Sequence, residues 1–137
     1  MVCRCGTAFG YLETFFPTAN KGPWPVILLR TPYDNVTEHL IEEAIFYAQH
    51  GYAYVAQDVR GRGDSDSQFY PWVNEFNDGH DTIEWLGTQS WCDGNIGMVG
   101  SSYAGNVQWQ AAVGQIYFLK TIIPKVIGHN LYEAPHY

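Results

Sequence analysis

The chain predicts an α/β fold, a mostly parallel sheet with flanking helices, on three observations. Short apolar runs of strand length alternate with longer amphipathic segments, turn residues separate them, and no internal repeat or low-complexity tract interrupts the series. Strands alternating with helices of this length imply right-handed βαβ units. In order, residues 8–16 read as a loose strand, ended by Pro17 and the turn Thr-Ala-Asn-Lys-Gly. Val26, Ile27, Leu28 and Leu29 form a continuous apolar run, as a strand buried on both faces requires. Leu40, Ile41, Ala44, Ile45 and Ala48 make the stripe of an amphipathic helix, with Asn35 and Glu38 as a cap pair and Gly51 as its stop. Residues 52–57 are the next strand, and a polar loop spans 58–74. A second helix fits 78–89, with Ile83 and Leu86 inward and Asp78 near its positive end. Residues 91–95 read as a turn, 96–99 as a buried strand, 103–114 as a helix and 119–123 as a final strand.

Composition narrows the function classes. The 137 residues carry 7 basic and 14 acidic side chains, a formal charge of −7, with 46% apolar and 16% aromatic residues. That describes a soluble, mildly acidic domain rather than a disordered tail. Scattered basic residues and a negative net sign argue against nucleic acid as a partner. No apolar run reaches membrane-spanning length and the first ten residues lack a secretory layout, so no membrane partner is expected and a cytoplasmic location is favoured. Cys3, Cys5 and Cys92 offer neither a complete disulfide set nor a zinc spacing, and they read as free thiols. No metal or organic cofactor is implied. The oligomeric state stays open, a homo-oligomer included.

In open α/β sheets ligands bind at the carboxyl ends of the strands. Three loops there carry unusual chemistry: residues 30–34, 58–67 and 100–103. The last runs Gly97-Met98-Val99-Gly100-Ser101-Ser102-Tyr103-Ala104-Gly105, from strand into helix. A nucleophile elbow needs small residues two before and two after its serine, because the bend crowds them together. Ser102 has Gly100 and Ala104 at those places, whereas Ser101 has Val99 and Tyr103. Ser102 is therefore the candidate nucleophile, and the backbone amide of Tyr103 the first oxyanion donor. The strict Gly-x-Ser-x-Gly form is not met, since Ala stands at 104 and the glycine falls at Gly105. A small-residue turn required only by packing is the competing explanation.

The runs PVILLRTPYDN, GYAYVAQDVRGRGDSDSQFYPWVNE, DGHDTIEWL and WCDGNIGMVGSSYAGNVQWQAA together resemble the X-Pro dipeptidyl-peptidase and cocaine esterase family of α/β-hydrolases, nearer its cocaine esterase and α-amino-acid ester hydrolase branch. The similarity extends from about residue 6 to 137. It implies the N-terminal part of an α/β-hydrolase fold, a serine nucleophile at Ser102, and oxyanion donors at the Tyr103 amide and the Tyr33 phenol. It implies a serine hydrolase that cleaves ester or amide acyl bonds of a small molecule or peptide through an acyl-enzyme. On the residues alone, an aromatic wall residue in the turn after Pro32 is the favoured reading of Tyr33.

The departures from the family are informative. The family's chain order is serine, then acid, then histidine. After Ser102 the only acid is Glu133 and the only histidines are His129 and His136, with Glu133 and His136 three residues apart. Those residues stand where the family's cap begins, so residues 1–137 are expected to be a partial catalytic domain lacking its triad acid and base, with the cap starting near 129–137. Alone, such a chain is expected to be nearly inactive and marginally folded; a non-catalytic binding remnant is the alternative. Cys3-Arg4-Cys5-Gly6 occupies the family's Arg-Asp-Gly opening turn with Cys5 in place of Asp, which argues against a regular first hairpin. His39, His50 and His80 precede the serine and read as exposed polar residues. Asp58 and Arg60 are expected to pair and brace their loop. Trp72, Trp85, Trp91 and Trp109 read as core, with an acyl-pocket wall as the alternative. The Arg62-Gly63-Asp64 tripeptide belongs to the family block rather than to adhesion, Gly61-Arg62-Gly63 lacks the residues of a phosphate loop, and Asn35-Val36-Thr37 is a glycosylation sequon that matters only in a secreted protein.

Overall fold

The computed structural model of the chain describes residues 2–7, 10–35 and 37–128. Six strands form one sheet: β1 (Val2–Thr7), β2 (Gly10–Phe15), β3 (Trp24–Thr31), β4 (Ala53–Asp58), β5 (Cys92–Ser101) and β6 (Leu119–Lys125). Three helices connect them: α1 (Glu38–Gln49), α2 (Glu75–Gly87) and α3 (Tyr103–Val113). The strand order is β1-β2-β4-β3-β5-β6. β1 and β2 pair antiparallel, as do β2 and β4, while β4, β3, β5 and β6 run parallel. The mostly parallel α/β sheet is thus as expected.

The alternation along β3 explains its unbroken apolar run. Val26 and Leu28 face one side with Val55, Met98, Ile83 and Leu86 of α2, and Ala111 of α3. Ile27 and Leu29 face the other with Ala56, Val99 and Ala44 of α1. Both faces are covered, so no polar position is left from Val26 to Leu29. Ile83 and Leu86 are fully buried as expected. The α1 stripe is shallower: Ala44 alone is fully buried, and Ile41 and Ile45 remain exposed.

Several boundaries differ from expectation, each for a tertiary reason. The first hairpin forms despite Cys5, with Val2 opposite Phe15 and Thr7 opposite Gly10. α1 is capped by Thr37, whose hydroxyl accepts from the Leu40 amide, and not by Asn35. Asn35 is buried and donates from Nδ2 to the Ala56 carbonyl at 3.4 Å, so the sequon asparagine points into the fold. α2 begins at Glu75, three residues earlier than its periodicity suggests. β5 begins at Cys92, which pairs with Trp24, so the predicted turn lies inside the strand as an irregularity where the Asp93 carboxylate takes the Asn95 amide. Trp85 and Trp91 pack against the core as expected, but Trp109 is 52% exposed and does not. Among the described residues no helix is long and apolar enough to cross a membrane, and no cluster of three metal-ligating side chains occurs. Cys92 is a buried free thiol, raised above its ordinary pKa chiefly by burial.

Candidate active site

The bend between β5 and α3 falls on Ser102. Its φ of 57° and ψ of −121° lie in the region L side chains rarely adopt, so the surrounding structure must hold it there. The Ser102 amide donates to the Lys125 carbonyl of β6 at 3.0 Å, and the Ser102 carbonyl accepts from Gly105 and Asn106 at 2.9 and 3.0 Å. The side chain makes no capping hydrogen bond and is exposed. Ser101, by contrast, is the last residue of β5.

Crowding around the bend accounts for its small residues. A Cβ on Gly100 would lie 2.7 Å from the Ala104 Cβ and 3.0 Å from Leu29 Cδ1. The small residues at 100 and 104 therefore exclude each other's enlargement. Gly105 is equally constrained, since a Cβ there would come 2.9 Å from the Lys125 carbonyl oxygen and 2.5 Å from Ile127 Cγ2. The glycine one place later than the usual pattern is thus set by contact with the chain leaving β6.

Tyr33 stands in the turn after β3 and is 58% exposed. Its amide donates to Thr31 Oγ1 at 3.0 Å. Neighbouring loops pin this turn: the Val59 amide donates to the Thr31 carbonyl at 3.0 Å, and Arg62 Nε to the Pro32 carbonyl at 2.9 Å. Arg62 also lies over the Phe69 ring, so the Arg-Gly-Asp tripeptide serves to hold the loop of Tyr33. Tyr33 and Ser102 line one open cavity of about 410 Å³, with Thr31, Leu29, Gly100 and Ala104 at its base, α1 along one wall, and Lys125 at the rim. His39 is exposed as expected, yet it also lines this cavity, together with Asp34 and Glu43. None of the four tryptophans considered as pocket wall does so.

Tyr103 is split between two environments. It is the first residue of α3, so its N–H has no acceptor within the helix. Its ring turns away from the cavity and is buried, stacked on Trp72 at 3.9 Å. The phenol donates to Glu75 Oε1 at 2.8 Å and accepts from the Trp72 amide at 3.2 Å. Burial, with the Glu75 carboxylate, raises its pKa far above the ordinary tyrosine value.

Asp58 and Arg60 do not pair. Arg60 reaches Asp78 of α2, with Nε 2.9 Å from Oδ2. Asp58 is fully buried, and the loop curls around it: its Oδ2 accepts the Asp64 amide at 3.0 Å, and a Cβ on Gly63 would lie 2.1 Å from that oxygen. Burial raises the Asp58 pKa above the ordinary 3.8, more than the amide donors of Asp64 and Asn35 lower it, and the charges of Asp34 and Asp64 add to the rise. A raised native pKa means that the folded state binds this proton more tightly than the unfolded chain. The Asp58 contribution to stability therefore declines as pH rises from 3.8 toward the native value, and is constant above it. Unfolding curves of wild type and Asp58→Asn across this window should show the difference moving in favour of the variant as pH rises; a difference that does not vary with pH would contradict the assignment.

Glu75, Arg30 and Gln108 escaped sequence reasoning. Gln108 donates to the Ala104 and Gly100 carbonyls at 2.9 and 3.3 Å and accepts from the Ile123 amide at 2.9 Å, tying the elbow helix to β6. A polar residue on the inner face of an otherwise apolar helix was the available signal. His129, Glu133 and His136 lie outside the described residues, as does the expected start of the cap.

A family model described as X-Pro dipeptidyl-peptidase, S15 family, matches residues 11–137. The chain belongs to the S15 family. The resemblance read from the four sequence blocks is thereby borne out, including its nearer branch. This S15 chain is 42% identical over 130 residues to the cocaine esterase of Rhodococcus sp. strain MB1 Bresler, a match that covers 92% of the chain and 22% of that esterase. It thus spans well under half the length of the curated relatives it matches. A CocE/NonD family hydrolase from Staphylococcus aureus superposes with a TM-score of 0.74 at 24% identity, over 88% of this chain and 26% of its own. An α/β serine hydrolase without a lid, from Xanthomonas campestris, gives 0.73 at 16% identity, over 98% of this chain and 65% of its own. At such identities the structural likeness establishes the fold, that of an α/β-hydrolase.

Proposed function

We propose that residues 1–137 form the nucleophile-bearing part of the catalytic domain of a serine hydrolase that acts on ester or amide acyl groups of a small molecule or peptide. Ser102 Oγ attacks the carbonyl carbon as its proton passes to a histidine supplied outside the described residues. The resulting oxyanion is held by the Tyr103 N–H and the Tyr33 O–H. Collapse expels the alcohol or amine, which takes up the proton, and leaves an acyl-enzyme that water cleaves with return of a proton to Ser102. The observation that carries this reading is the left-handed backbone of Ser102 between β5 and α3, with Tyr33 on the same cavity. A phenol carries an O–H that can donate to a developing oxyanion.

Treatment of the complete polypeptide with a fluorophosphonate probe tests the reading directly. The label should map to Ser102; a label on any other residue, or none, refutes it. Tyr33→Phe removes one donor while keeping the ring. It should lower kcat by roughly 10²–10³-fold with little change in KM. Steady-state hydrolysis of a 4-nitrophenyl ester measures both constants, and an unchanged kcat would leave Tyr33 as a wall residue only.

A further inference from the structure

Glu75 opens α2, is 3% exposed, and divides its carboxylate between two elements of the sheet edge. Oε2 lies 2.9 Å from Arg30 Nη1, and Oε1 accepts the Tyr103 phenol at 2.8 Å. Arg30 is fully buried on β3, three residues before Tyr33. It is fixed further by Nε donating to Gln57 Oε1 at 2.8 Å and Nη1 to the Glu75 carbonyl at 3.3 Å. Thr82 Oγ1 donates to the same Gln57 oxygen at 3.1 Å. On the other side, Tyr103 immediately follows Ser102, and its ring is clamped by Trp72. One carboxylate therefore joins the strand that leads to Tyr33 and the residue that immediately follows Ser102.

Net stability is a poor reason for such an arrangement. Desolvating two charges offsets most of their attraction, and apolar side chains of similar volume fill a core at least as well. What hydrogen-bonded charges supply is direction and fixed separation. Oxyanion donors act only when they stand about 2.7–3.1 Å from the developing charge. A misplacement of about 1 Å costs on the order of 10²-fold in rate. The two proposed donors come from the turn after β3 and from the start of α3, and their spacing depends on whatever locks those two elements together.

We infer that Glu75 is a positioning residue for acyl transfer: by holding Arg30 and the Tyr103 phenol at once, it sets the separation of the Tyr33 hydroxyl and the Tyr103 amide. This rests on the serine-hydrolase reading above. Glu75 touches neither substrate nor the reacting atoms in this role; it acts through Tyr103 and Arg30.

The test uses the complete polypeptide, with 4-nitrophenyl acetate as substrate and a fluorophosphonate to count reactive serines. Tyr103→Phe cuts the link at the elbow while leaving the backbone amide and the ion pair in place. It should lower kcat per reactive serine by about 10–100-fold with KM within about twofold. Glu75→Gln should lower kcat comparably, and the double variant should fall no further than the worse single one, because both break the same link. Should Glu75→Gln fail to fold, Tyr103→Phe decides alone. A purely structural role would shift the melting temperature and leave kcat per reactive serine unchanged; kcat within twofold for Tyr103→Phe, or additive losses in the double variant, overturns the inference. A wild-type polypeptide that labels at Ser102 while Tyr103→Phe stays fully active sinks this inference alone. One that neither labels nor turns over ester sinks the hydrolase reading and this inference together.

Discussion

Ser102→Ala in the complete polypeptide is expected to reduce ester turnover by about 10⁶-fold, the scale seen when a serine hydrolase loses its nucleophile. Ser101→Ala should change it by no more than a few-fold. The contrast is sharp because both hydroxyls line the same cavity and differ by a single position. Only Ser102 has the left-handed backbone that lifts the side chain off the end of β5 and onto the start of a helix. There, the N–H groups of the first turn have no intrahelical acceptor, and the helix dipole favours negative charge. The alanine variant should fold normally, since Ser102 is exposed and makes no side-chain capping bond. Circular dichroism and probe labelling run beside the kinetics separate loss of chemistry from loss of structure. Full turnover by Ser102→Ala would place the nucleophile elsewhere and end the mechanism.

The parts of this site that were legible in the sequence are those set by local sterics. Gly100 and Ala104 could be read as a pair because the elbow geometry alone demands small groups there, and the close approach of their Cβ positions is that demand made explicit. β3 was legible because burial on both faces removes every polar position from Val26 to Leu29. What could not be read was set by partners distant in the chain. Nothing in the segment Tyr-Pro-Trp-Val-Asn-Glu-Phe-Asn marks Glu75 as buried, since its partners Arg30 and Tyr103 lie 45 and 28 residues away. The same holds for the start of α2, where Asn74 makes no side-chain cap and the first helical residue is anchored instead by Arg30. Asp58 and Arg60 looked like a pair because they are close in sequence. The Asp64 amide of the loop donates to Asp58 Oδ2, while Arg60 turns to Asp78.

Arg30→Met should be the most destabilising single substitution in this network, at about 3–5 kcal/mol, because it strands a buried carboxylate. With Arg30 gone, Glu75 keeps only the Tyr103 phenol, at 3% exposure, where water cannot replace the lost cation. Adding Glu75→Leu should recover much of that loss, since the uncompensated charge disappears. Recovery should stop short of wild type by about 1–3 kcal/mol, the cost of leaving the Tyr103 hydroxyl without its acceptor. Urea midpoints of the complete polypeptide should therefore rank wild type, then the double variant, then Arg30→Met. The ranking discriminates between two accounts of the pair. If the attraction itself supplied the stability, the double variant would be as weak as the single. If the pair is costly to bury and serves chiefly to fix β3 against α3, the double variant regains stability while its kcat stays low, and stability and turnover part company at the same two residues.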